Sequence, residues 1–292
     1  MLVSELLREG QNKLQKAGIT GFELDSVILL GHCLELSRTE LYLQGSEPVN
    51  DSCCIRFREY IERRIKHEPV AYILQEREFW SLDFEVNQQV LIPRPETEFL
   101  LEIVFQYLKN QSYRVFRSVD LCCGSGVIAV VLARELKTRV LAIDCSLQAL
   151  AVTRRNCNKH NVHDSVDVLC SDLFSAVDNS RAYELIVSNP PYVSIGAIQN
   201  ELDAEVANFE PKLALDGGLD GLDCIRRIAM EVVSYLAPSG LFFMEFGANQ
   251  AEEVKNIFSY INRDGRYFKS VDILKDYSGR DRVLAAQINE YT

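Results

Sequence analysis

VFRSVDLCCGSGVIAVVLAREL, residues 115–136, decides the fold. VFRSVDLCC is rich in β-formers and reads as a strand, while SGVIAVVLAREL reads as a helix. Between them Gly124 and Gly126 permit a tight turn and close approach of the backbone to a ligand. The same alternation continues outward. RVLAID, SVDVLCSD, YELIVSN, GLFFMEFG, KSVDILKD and RVLAAQI read as further strands. Helical text intervenes through LQALAVTRRNCNKH, from about Asp223 to Leu236, and from Gln250. From about Arg114 the chain therefore predicts a seven-stranded, mainly parallel, Rossmann-like sheet covered by helices on both faces. Ligands of such sheets bind beyond the carboxyl ends of the strands, at the switch point.

Upstream the period changes. Leu2, Leu6, Leu7 and Leu14 recur at helical spacing before Gly18, and Phe22–Leu36 continues in kind. NDSCCIRFREYIERRIKHEP opens on a capping residue and stops before Pro69. Residues 1–75 thus predict a small helical bundle, 76–92 a β-hairpin linker, and 93–292 the α/β domain. Repeats and low-complexity segments are absent.

Composition narrows the class. The chain has 292 residues, 47% hydrophobic and 25% charged, as in an ordinary globular protein. A net charge of −11 argues against sequence-independent nucleic-acid binding. Arg56, Arg58, Arg63, Arg64 and Lys66 cluster, but Glu59 and Glu62 interleave, and a solvated helix face is expected. The nine cysteines form no CxxC pair, so reduced thiols are expected. His160 and His163 lack partners at metal-ligand spacing, and no metal is expected. The N-terminus meets acidic residues too early for a signal peptide, and no apolar run is long enough for a bilayer. A cytoplasmic protein is expected.

Three strand ends carry chemistry. D-x-C-x-G-x-G at 120–126 matches neither a nicotinamide fingerprint nor a P-loop. Asp144 ends the second strand, where a carboxylate can accept both ribose hydroxyls. Asp172 follows the third and could bond an adenine amino group. Together they suggest a nucleoside without a bound phosphate, and S-adenosylmethionine fits. NPPY, residues 189–192, then follows the fourth strand. Proline cannot continue a ladder. Asn189 Oδ1 and the Pro190 carbonyl could hold both N–H groups of a planar amide or amine, aiming its lone pair at a methyl group. Tyr192 could cover that group by stacking. Catalysis would be orientation and electrostatics. A base is not required, because the methylated nitrogen becomes acidic enough to lose its proton to water. Glu245, in FFMEFG, reads equally as a site residue or a turn cap, and Trp80 as an anchor.

DLCCGSG, AID and NPPY together resemble the class I methyltransferases that modify planar nitrogens. With the helical N-terminus, YILQEREFWSLDFEVNQQVLIPRPETEFL and FEPKLALDGGLDGL, nearly the whole chain resembles the release factor glutamine N5-methyltransferase (HemK/PrmC) family. IPRPETE discriminates best, since NPPY also occurs in adenine methyltransferases. The resemblance implies S-adenosylmethionine as cofactor and, as acceptor, the glutamine of the Gly-Gly-Gln motif of peptide-chain release factors. It places Cys122, Cys123, Gly124, Ser125, Gly126, Asp144, Asp172, Leu173 and Asn189 on the cofactor, and Asn189, Pro190, Pro191 and Tyr192 on the glutamine. It further implies direct in-line transfer, docking of the release factor by the helical domain, and Pro93–Glu98 near the active site. The implied enzyme is a monomer that needs neither nucleic acid nor a membrane. Cys122 stands where the family usually has glycine, and Leu173 where many relatives carry an aromatic ring. A ribosomal-protein glutamine methyltransferase, an adenine-N6 methyltransferase and a non-catalytic adaptor remain as alternatives.

Overall fold

The computed structural model describes residues 1–110, 115–178, 180, 182–263 and 265–290. The expected start of the alternation at Arg114 and the last two residues of the 93–292 span lie outside these. The chain forms two compact units. One comprises Met1–Glu76 with Asp203–Phe209, and the other Arg77–Leu202 with the residues from Glu210 onward.

The first unit is helical: α1 (Val3–Lys16), α2 (Phe22–Leu34), α3 (Arg38–Leu43), α4 (Asp51–Ile65) and α5 (Val70–Leu74). The expected cap of α4 is present, with Asn50 Oδ1 accepting from the Cys53 N–H at 2.8 Å. Leu6, Leu14, Leu29, Leu30 and Phe57 are buried at its core. The basic cluster on α4 departs from the expected solvated face at one residue. Arg64 is 3% exposed and pairs with Asp25 at 2.7 Å and with Glu205. Three neighbours also find partners: Arg58 meets Glu9, Arg63 meets Glu68, and Arg56 donates to the Cys33 carbonyl. A guanidinium can be buried when acceptors occupy its fork.

The expected hairpin follows, β1 (Glu76–Phe79), which from Arg77 belongs to the second unit, and β2 (Leu82–Glu85), and then α6 (Pro95–Asn110). Next come β3 (Arg117–Leu121), α7 (Val127–Leu136), β4 (Arg139–Asp144), α8 (Leu147–Lys159), β5 (Val166–Cys170) and β6 (Tyr183–Ser188). Two short helices follow, α9 (Ile195–Asn200) here and α10 (Ala204–Phe209) in the first unit. The chain closes with α11 (Asp223–Val232), β7 (Leu236–Glu245), α12 (Ala251–Ser259), β8 (Asn262–Arg263), β9 (Arg266–Lys275) and β10 (Asp281–Ile288). The order β5-β4-β3-β6-β7-β10-β9 makes a seven-stranded sheet, and the two-residue β8 adds an eighth strand at the β9 edge. The pairs among β5, β4, β3, β6 and β7 are parallel, and β10 runs antiparallel to both neighbours.

Period two is visible in the packing. Leu241 and Phe243 join one core, while Phe242 and Met244 join the other, so β7 is apolar on both faces from Leu241 to Met244. The helix expected from Asp223 to Leu236 is shorter: α11 ends at Val232, and Leu236 already pairs with Tyr183 in the sheet. Among the described residues no helix is long and apolar enough to cross a membrane.

Topology places the site. From β3 the chain winds outward to β4 and β5, then returns to β6 on the other side of β3. The switch point therefore lies between β3 and β6, and the turns leaving them are neighbours. Ser188 Oγ ties them by donating to the Leu121 carbonyl at 2.8 Å.

Candidate active site

The turn after β3 is tightly determined. The Cys123 N–H donates to the Ile143 carbonyl at 2.9 Å, and the Gly126 N–H closes back on the Cys123 carbonyl at 2.8 Å. Cys122, Gly124 and Gly126 all have left-handed φ values, of 65°, 54° and 79°. Glycine takes such angles freely and cysteine does so at a cost. A Cβ on Gly126 would meet Thr153 Cγ2 at 2.6 Å, so α7 starts against α8 with no room for a side chain. A Cβ on Gly124 would meet nothing within 4 Å. Beneath the turn Asp120 is fully buried, with Oδ2 accepting from the Ala129 N–H at 2.9 Å. Burial pushes its carboxyl up to about 8, and nearby Asp144 adds to the rise.

Asp144 faces this turn from the end of β4. Its Oδ2 accepts from the Gly124 N–H at 2.9 Å and its Oδ1 from the Ser146 N–H at 2.8 Å. Burial raises its carboxyl, and the backbone N–H groups of Ser146, Gly124 and Cys145 draw it back. An ionised carboxylate offers about four lone-pair positions. The N–H groups of Gly124 and Ser146 each take one and that of Cys145 draws on a third, which leaves capacity for a ribose hydroxyl.

A cavity of about 760 Å³ opens at this switch point. Of the residues expected on a cofactor, Cys122, Cys123, Gly124, Ser125, Asp144, Asp172, Leu173 and Asn189 line it, and Gly126 does not. Leu173 is 6% exposed and supplies an apolar wall. Asp172 Oδ2 is also held by Arg227 at 2.8 Å. Cys122 and Cys224 meet as hydrogen-bond partners, and that bond, with burial, pushes the Cys122 thiol well up. The volume suits a nucleoside. An open glycine cradle beside a carboxylate with spare lone pairs fits S-adenosylmethionine, and the turn adds no phosphate-binding lysine.

The expected acceptor residues divide. Asn189 and Pro191 line the cavity, whereas Pro190 is buried and neither it nor Tyr192 lies in the wall. Asn189 Nδ2 donates to Thr97 Oγ1 at 3.0 Å, and Tyr192 Oη donates to Glu245 Oε1 at 2.8 Å. Beyond the prolines the backbone finds new partners. The Val193 N–H donates to the Leu215 carbonyl and the Gly217 N–H to the Val193 carbonyl, both at 2.9 Å. Gln250 Nε2 holds the Tyr192 carbonyl at 3.0 Å. Gly221, at φ 79°, abuts that carbonyl, which explains glycine in DGGLDGL.

Pro93, Arg94 and Thr97 of IPRPETE also line the cavity. Arg94 pairs with the buried Glu210, and Glu98 Oε1 accepts from the Trp80 N–H at 2.6 Å. His160 bonds the Asp83 carbonyl at 3.1 Å and packs on Phe84. Sequence reasoning left Glu245 between two readings and gave no role to Thr97, Cys224, Arg227 or Gln250. Thr97 lay within a motif already singled out; the others lie in ordinary helical text, where only tertiary contact distinguishes them.

The PrmC N-terminal domain family matches residues 5–74, and the methyltransferase small domain family matches residues 97–218. The chain is 35% identical to a release factor glutamine methyltransferase of Clostridium botulinum, over 98% of this chain and 99% of that protein. It is 36% identical to one from Nitratidesulfovibrio vulgaris, over 97% and 94%. Among solved structures, the hMettl16 catalytic domain bound to a MAT2A 3′UTR hairpin superposes with a TM-score of 0.53 at 14% identity, covering 83% of each chain. That likeness is one of fold.

Proposed function

The chain belongs to the release factor glutamine methyltransferase family, and we propose that it methylates the glutamine amide nitrogen in the Gly-Gly-Gln motif of peptide-chain release factors. The observation that carries this reading is Asn189, a side-chain amide anchored in the cavity wall beside the glycine turn. S-adenosylmethionine supplies an electrophilic methyl group. Asp144 would hold its ribose, the turn from Cys122 to Gly126 would lie along it, and Asp172 and Leu173 would flank its base. Asn189 Oδ1 would accept one N–H group of the substrate amide from the wall, and the Pro190 carbonyl, buried and outside the lining as the structure stands, would have to be reached by the other. Holding both turns the nitrogen lone pair out of conjugation and towards the cavity for in-line transfer. Pro191 forms part of the wall and Tyr192 backs it. The nitrogen's proton then leaves to water. Release factors act at ribosomes, which puts the reaction in the cytoplasm. The match of residues 5–74 to the PrmC N-terminal domain supports a docking role for the helical unit.

The test uses the full chain with S-adenosylmethionine, a purified release factor and, separately, a ribosomal protein carrying a methylatable glutamine. Mass spectrometry should show a gain of one methyl group on the Gly-Gly-Gln peptide. A methyl group found only on the ribosomal protein would assign the related activity instead. Asn189→Ala should lower turnover by about 100-fold or more while largely sparing the fold; undiminished turnover would sink the amide-clamp mechanism.

A further inference from the structure

Glu245 ends β7 at 1% exposure, and Thr97, in the first turn of α6, is 3% exposed. Thr97 Oγ1 donates to Glu245 Oε2 at 2.8 Å, Tyr192 Oη donates to Glu245 Oε1 at 2.8 Å, and Asn189 Nδ2 donates to Thr97 Oγ1 at 3.0 Å. Burial raises the Glu245 carboxyl, and the Thr97 and Tyr192 hydroxyls with the Arg282 charge draw it back; as a carboxylate it only accepts, while a hydroxyl has one proton and a primary amide donates at nitrogen and accepts at oxygen. With its proton given to Glu245, Thr97 can offer Asn189 only a lone pair. Asn189 must therefore turn its nitrogen to Thr97. A flipped amide would set two oxygens against each other around a proton already used.

We propose that Glu245, acting through Thr97, is a positioning residue that fixes the Asn189 amide so that Oδ1 is the atom presented to the cavity. This rests on the reading of Asn189 as the acceptor for the substrate amide. The same carboxylate holds Tyr192 by its hydroxyl, so one buried group sets two residues of NPPY. IPRPETE and NPPY, separated in sequence, thereby become parts of one device. An asparagine without this relay would populate both flips, and one of them points a donor at the substrate's own N–H groups.

Thr97→Val keeps the side-chain shape and removes the oxygen. Its kcat should fall by about 100-fold, as expected for misdirected reacting groups. Cofactor affinity by calorimetry should stay within about twofold, and Thr97→Ser should restore most of kcat. Glu245→Gln brings an N–H to one of the two hydroxyls and should also lower kcat. Wild-type kcat in Thr97→Val overturns the relay, as does a loss that Thr97→Ser does not rescue. If Val prevents folding, Thr97→Ala removes the same oxygen without added bulk and is read in the same way.

A second readout is independent of activity. The Asn189 side-chain amide protons, assigned by their loss in Asn189→Ala, should exchange slowly by NMR in the wild type and fast in Thr97→Val. Fast exchange in the wild type overturns the relay whether or not the release factor is a substrate. Slow exchange in a protein that leaves release factors unmethylated would instead count against the functional reading alone.

Discussion

Cys122 carries a left-handed backbone, φ 65°, in the lining of the cavity. The position needs a permissive residue, and an L side chain there costs roughly 1–2 kcal/mol. Cys122→Gly should therefore be more stable than Cys122→Ala by about 1 kcal/mol in urea denaturation. Equal stabilities would mean that the surrounding turn has already relaxed the strain. Asp120 makes a pH prediction. Its carboxyl stands at about 8 in the fold against 3.8 unexposed to such surroundings. The folded state thus keeps a proton that the unfolded chain releases. The stability linked to this proton is complete below pH ~4 and is lost as pH rises through about 8. Asp120→Asn cannot titrate. Its stability relative to wild type should grow by on the order of a few kcal/mol between pH 5 and 8.5. A gap independent of pH would refute the buried proton.

At the scale of elements, the helix start is the sensitive point. Gly126 opens α7 at φ 79°, with Thr153 of α8 where a Cβ would go. Thr153 itself donates to the Gly124 carbonyl at 2.9 Å, so the contact cannot open without disturbing the glycine turn. Gly126→Ala should cost about 2–4 kcal/mol of stability from backbone strain and overpacking together. Calorimetry should show weaker S-adenosylmethionine binding in the same variant. Two other elements show the limits of local pattern. The apolar period of α11 runs on through Val233 and Leu236, yet pairing with Tyr183 converts Leu236 to strand. The hairpin turns at Trp80 and Ser81, both at positive φ, where Asn-Gly is the usual signal. Glu98 on the Trp80 N–H and Phe105 against its ring hold that unusual pair.

At the scale of the whole molecule, the chain leaves its α/β unit at Asp203 and returns at Glu210, and the seven residues between belong to the helical unit. Arg64 secures this excursion within the helical unit by pairing with Asp25 of α2 and Glu205 of α10. Removing the guanidinium would strand two carboxylates. Glu205 is about one-third open to water, which softens the loss. Arg64→Ala should cost about 2–4 kcal/mol and make residues 203–209 the first site of limited proteolysis. An unchanged cleavage pattern would show that Arg64 is not what holds α10.

The sequence by itself determined the sheet, its parallel sense and the three strand ends that carry polar groups. Period-two apolar runs, glycine at a left-handed turn and proline after a strand are local properties, legible without knowing what they touch. IPRPETE could be recognised from the text as a family marker, but its chemistry could not. Only the tertiary structure brought Thr97 to Asn189 and Glu245, placed Arg227 on Asp172, and turned Tyr192 away from the cavity wall. The physical reason is that hydrogen-bond direction depends on which partner holds each proton. Residues 92 and 148 positions apart in the chain settle that only when folding buries them together.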